Sequence, residues 1–115
     1  MDKKELKEKY KQIKPEMGVF AYKCLPTGKV YIGAGQNIKA DINSITFQLK
    51  TGKYPVNKRL EDDWNEYGEN AFEITVLEIL EYDKENPKTD YKDDLRVLRD
   101  IWSEKCDNFE FIKKM

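Results

Sequence analysis

The chain has 115 residues, 39% of them hydrophobic and 37% charged, which suffices for one domain around one core and for no second domain. Aromatic residues make up 12%, which excludes a chain too poor in burial to fold. With 21 Lys and Arg against 22 Asp and Glu, the composition also excludes the strong general affinity for nucleic acid that a basic domain has, while a local basic patch stays open.

Residues 2–14 pattern as a charged amphipathic helix, with Leu6, Tyr10 and Ile13 on one face and Pro15 ending it. Residues 17–25 and 28–34 pattern as two strands rich in β-formers. Between them, Pro26-Thr27-Gly28-Lys29 is a turn sequence, so the pair is most simply an antiparallel hairpin. Residues 37–50 predict a helix capped by Asn37, striped by Ile38, Ile42, Ile45 and Leu49, and stopped at Gly52. Residues 57–67 predict another, with Asn57 as cap, Leu60, Trp64 and Tyr67 as stripe and Gly68 as stop. Residues 71–80 form a third strand through Phe72, Ile74, Val76 and Leu77, and the polar stretch 81–90 is a loop. Residues 91–105 predict a last helix on Leu95, Leu98, Ile101 and Trp102, and Phe109, Phe111 and Ile112 alternate like a short strand. Trp64 and Trp102 lie on apolar helix faces and are expected as core anchors.

This order predicts an α+β fold: a three-stranded antiparallel sheet flanked by helices, with an N-terminal helix over 1–16 ahead of a domain over 17–115. No apolar run approaches the ~18 residues of a membrane span. Cys24 and Cys106, with no signal peptide visible, read as reduced thiols of a cytoplasmic chain. Histidine is absent, which removes the commonest general base and metal ligand and every Ser-His or Cys-His mechanism. There is no glycine-rich phosphate loop, cysteine zinc pattern or calcium loop.

The most specific feature is Gly18-Val19-Phe20 followed by Tyr31-Ile32-Gly33 on the predicted hairpin and ahead of a helix. The pair resembles the GIY-YIG nuclease family, in which the two tripeptides lie on adjacent strands. The likeness continues from Lys58 to Phe72, which resembles the family's second helix and its turn into the third strand, and from Leu95 to Trp102, which resembles its last helix. It covers residues 17–105 and is closest to short stand-alone bacterial members with a charged N-terminal helix.

The resemblance implies a site made of two strand tyrosines, an arginine on the following helix and a metal-binding glutamate on the last helix. Phosphodiester cleavage builds negative charge that cations must meet. Carried over position by position, the second-strand tyrosine is Tyr31 and is kept. The first-strand tyrosine is Phe20, so the ring stays and the hydroxyl is gone. The arginine position holds Asp41 and the glutamate position holds Arg99. A guanidinium has no lone pair for a metal. Two required charges are therefore each replaced by the opposite sign, and Asp41 and Arg99 are expected to pair across the old pocket.

Lys23, Lys29, Lys39, Lys58 and Arg59 are the candidate contacts to nucleic acid or a partner. The expectation is a nuclease-like domain that has lost catalysis and binds nucleic acid or protein, without metal or small-molecule cofactor and without membrane association. The alternatives are a nuclease with a rearranged site, which would need Mg²⁺ or Mn²⁺, and a protein-interaction module that interferes with nucleic-acid machinery.

Overall fold

A computed structural model of the chain describes residues 15–52, 57–82 and 90–112. The helix expected over 2–14 lies outside them, as does most of the expected loop over 81–90. In chain order the elements are β1 (Met17–Cys24), β2 (Val30–Gly35), α1 (Ile38–Thr51), α2 (Lys58–Tyr67), a 3₁₀ turn (Glu69–Ala71), β3 (Phe72–Leu80), α3 (Lys92–Ser103) and β4 (Phe109–Phe111). The α+β class holds, but the sheet has four strands, in the order β3-β1-β2-β4, where three were expected. β1 is antiparallel to both neighbours, and β4 lies parallel to β2 on its outer edge. The short alternation at Phe109 and Phe111 becomes a strand because that edge is there to receive it: Val30 N–H donates to Asn108 O at 3.0 Å and Ile112 N–H to Ile32 O at 2.8 Å.

Strand side chains alternate between faces, and the helices divide accordingly. Phe20, Tyr22 and Cys24 of β1 and Tyr31 of β2 pack with Ile38 and Leu49 of α1 and Leu60 and Trp64 of α2. Met17 and Ala34 point the other way, to Tyr91 and Leu95 at the start of α3. The sheet is thus sandwiched, with α1 and α2 on one face and α3 on the other. Tyr22 fixes α1 in place: its hydroxyl lies 3.0 Å from Ile42 O, to which it donates, and 2.8 Å from Thr46 Oγ1. Asn37 and Asn57 cap as expected, accepting from Ala40 N at 3.1 Å and Leu60 N at 3.0 Å.

The apolar pattern of α3 sits differently from expectation, and that of β3 leaves apolar residues exposed. On α3 the inward residues are Tyr91, Leu95 and Leu98, with Trp102 half-buried, and Ile101 is exposed. A helix turns about 100° per residue, so Ile101 and Trp102 cannot share the stripe. Trp102 accordingly lies over the sheet rim, its Nε1–H donating to Glu78 Oε1 at 2.9 Å, rather than anchoring the core. On β3 only Phe72 is buried, while Ile74 and Val76 are exposed. Their register partners are Tyr22 and Phe20, which places them on the α1 face. β3 is the outer strand there, and α1 packs over β1 and β2 instead.

The β1–β2 register pairs Phe20 with Gly33 and Tyr22 with Tyr31. Opposite Phe20 a side chain is not tolerated, because a Cβ on Gly33 would come within 2.6 Å of Phe20 Cζ. The glycine of the second tripeptide is therefore a packing requirement of the first tripeptide's ring. Gly33→Ala is expected to lower stability by ~1–3 kcal/mol through overpacking. Phe20→Leu in the same chain should recover part of that loss, as read from urea unfolding midpoints.

Candidate functional site

Tyr31 is fully buried, yet its hydroxyl has a charged partner: it donates to Asp63 Oδ2 of α2 at 2.5 Å. Burial, followed by that hydrogen bond and the charge of Asp63, pushes the phenol far above the ordinary tyrosine range. Beside it, β4 brings in Glu110, the register neighbour of Tyr31. Two cations converge on Glu110 Oε2, Lys29 at 3.0 Å and Arg59 at 3.7 Å. Lys29 also stands 5.3 Å from the centre of the Tyr31 ring.

The other family positions are dispersed around this centre. Phe20 is a core ring at 2% exposure, seated on Gly33. Asp41 occupies the first turn of α1, where a carboxylate complements the helix dipole. Arg99 is on α3, across the sheet from α1. Its guanidinium stacks 4.1 Å from the centre of the Phe111 ring, and its Nη2 is 3.3 Å from Asp100 Oδ1. Among the described residues, then, the ion pair of Arg99 goes to Asp100 and not to Asp41, which corrects the expected pairing. The sheet, closed on this side by β4, stands between the two helices.

Of the candidate contacts, only Lys29 and Arg59 are brought together. Lys58 is exposed and pairs with Asp62 one helical turn on, at 3.6 Å. Lys23 is exposed on β1, and Lys39 is exposed on α1 beside Val76 and Ile79. Among the described residues no group of three or more Cys, Asp or Glu side chains is placed to hold a metal ion. Among the described residues no helix is long and apolar enough to cross a membrane.

Sequence reasoning missed Asp63, Glu110 and Phe111. Asp63 was legible in part: Leu60, Asp63, Trp64 and Tyr67 share one helical face, so a carboxylate on that stripe signals a buried polar partner. Glu110 and Phe111 act here only because β4 pairs with β2, and the alternation at Phe109 and Phe111 does not say which strand receives it.

A hairpin with Gly18–Phe20 and Tyr31–Gly33 on adjacent strands, a third antiparallel strand, and helices on both faces together make the fold of a GIY-YIG endonuclease catalytic domain. Among solved structures, the catalytic domain of homing endonuclease I-TevI matches with a TM-score of 0.66 and 22% identity, over 85% of this chain and 99% of that one. A mutant of the catalytic domain of intron endonuclease I-TevI matches with a TM-score of 0.61 and 23% identity, over 79% of this chain and 84% of that one. No protein-family model matches the sequence, and no curated protein does. At this identity the likeness is one of fold.

Two measurements check the geometry. Tyr31 and Tyr22 both hold their protons more tightly folded than unfolded, Tyr22 because burial pushes it up to about 12 against the opposing Thr46 hydrogen bond. A raised phenol pKa contributes stability that is complete below the unfolded value of about 10 and is lost as pH rises above it. Urea midpoints are therefore expected to fall from about pH 10 upward, and to fall less in Tyr31→Phe than in the parent chain. In a double-mutant cycle, Asp41→Ala and Arg99→Ala are expected to add within about 0.5 kcal/mol, as groups without direct contact do.

Proposed function

We propose that this chain is a nuclease-like binding module that contacts nucleic acid or protein in the cytoplasm and does not cleave phosphodiester bonds. The reading rests on the state of Tyr31. A tyrosine that serves as general base must give up its proton near neutral pH and reach the attacking group. Here the hydroxyl is enclosed, its proton is held by Asp63, and its pKa is displaced in the wrong direction.

The donor chemistry also fails to suit a divalent cation. Arg99 stands where the family's metal-binding glutamate would be, and its guanidinium has no lone pair. Neighbouring carboxylates are engaged elsewhere, Asp100 with Arg99 and Glu78 with the Trp102 indole. No step of a reaction is therefore assigned to Mg²⁺ or Mn²⁺. A rearranged nuclease would have to recruit Lys29 and Arg59 to the phosphate, and both already meet Glu110.

Supercoiled plasmid and single-stranded DNA incubated with the protein and Mg²⁺ or Mn²⁺ should come through uncut. Nicking that disappears in Tyr31→Phe would overturn the proposal and restore the enzyme.

A further inference from the structure

Beside α1 the sheet carries a groove of about 640 Å³. One wall is α1, through Ile38, Lys39, Ile42 and Asn43, and the other is β3, through Val76 and Ile79. The apolar strip runs on along the outer strand, where Ile74, Val76 and Ile79 are 39%, 45% and 40% exposed. On α1, Phe47 follows Lys39 and Asn43 at helical spacing and is 67% exposed. An outer strand with an open apolar face is a template for pairing with other chains unless something covers it.

The chain is pinned at one end of this groove, which Pro15 and Glu16 also line. Ile38 N–H donates to Glu16 O at 2.9 Å, and the Tyr82 hydroxyl donates to Pro15 O at 2.6 Å. Gly18 is the register partner of Ile79, so this end is the one where α1 begins and β3 finishes. Residues 1–14, outside the described residues, therefore join the molecule there. Their sequence puts Leu6, Tyr10 and Ile13 on one helical face. It also carries six lysines against Asp2, Glu5 and Glu8, in a chain with 21 basic and 22 acidic residues. The segment is thus basic and the rest of the chain acidic.

We propose that residues 2–14 dock as a helix in this groove of their own molecule, setting Leu6, Tyr10 and Ile13 against Ile42, Val76 and Ile79. The inference does not depend on the non-cleaving reading above. The lengths agree: Leu6 to Ile13 spans about 10 Å of helix, and Val76 to Ile79 spans about 10 Å of strand. A helix this short is marginal alone in water, so its stability has to come from packing its apolar face. Tethering at Pro15 gives the segment an effective concentration at the groove on the order of millimolar, which a separate partner would have to match. The opposite charges of segment and body add to the attraction. Arriving at the end where α1 begins, the docked helix runs antiparallel to α1 and covers the open face of β3.

The test is methyl NMR of the full chain with its leucine, valine and isoleucine methyls labelled. Nuclear Overhauser contacts are expected from Leu6 and Ile13 to Val76 and Ile79, unchanged on about tenfold dilution. They should be absent from an experiment on mixed labelled and unlabelled chains that reports only contacts between molecules. In urea unfolding, a double-mutant cycle on Ile13→Ala and Ile79→Ala should show a coupling of about threefold or more in the unfolding equilibrium constant. Leu6→Ser with Ile13→Ser should raise the fluorescence of a hydrophobic dye severalfold by uncovering β3. Glu8→Ser, on the opposite helical face, should leave it within about twofold, and circular dichroism confirms that each variant is folded.

Contacts seen only between molecules would put the segment of one chain on the groove of another and overturn the proposal in favour of a second copy. Contacts from Leu6 and Ile13 to Leu95 of α3 in place of β3 would overturn it as well. So would amides of residues 2–14 that exchange with solvent as fast as those of the isolated peptide. Where Ile79→Ala costs the chain its fold, the cycle is run on Ile13→Ala with Val76→Ala, and additivity there within about twofold counts against docking.

Discussion

The register of β1 against β2 governs the molecule. Setting Phe20 on Gly33 and Tyr22 beside Tyr31 decides which side chains face α1 and α2 and which face α3. A slip of one residue would turn every one of them to the other side. The register is held from both ends. The turn closes with Gly28 N–H donating to Cys24 O at 2.8 Å, and a ring fills the space that a missing side chain leaves. The two tripeptides are therefore first a packing device, and they would be needed by any protein built this way, whether or not it performs chemistry.

On that frame the polar groups fall on two sides of the sheet. The Tyr31 hydroxyl meets Asp63, and β4 adds Glu110 at its side with Lys29 and Arg59 neutralising it. The result is a closed polar cluster on the α2 side of the sheet. The surplus cations, Lys92 and Arg96 together with the stacked Arg99, lie on the α3 side.

Much of this was legible in the sequence, for physical reasons that differ by element. α1 and α2 were readable because each couples an asparagine cap, an apolar stripe and a glycine stop, three independent signals that agree, whereas α3 was readable from its apolar stripe alone. The hairpin was readable from β-formers flanking a Pro-Gly turn. The alternation at Phe109 and Phe111 was readable, but its place as a fourth strand of the sheet was not, because a short edge strand is defined by the edge that receives it, and its partner lies some eighty residues earlier in the chain. The exposure of Ile74 and Val76 on β3 was not readable for a related reason: both look like core residues until α1 is known to pack elsewhere. At the candidate site, the positions Asp41 and Arg99 could be picked out by counting residues against the resemblance. Their separation by the sheet could not, since it depends on where the two helices pack.

β4 bears on how the molecule assembles. It is parallel to β2, it borrows a helix cap as a clamp through Asn57 Nδ2–H donating to Phe111 O at 3.2 Å, and it supplies the ring beneath Arg99. Contacts so distant along the chain carry a large loop-closure entropy and tend to form late. During synthesis, the outer edge of β2 therefore stays bare until all the other described elements have emerged. A chaperone or a neighbouring nascent chain would find its opportunity at that edge and in that interval.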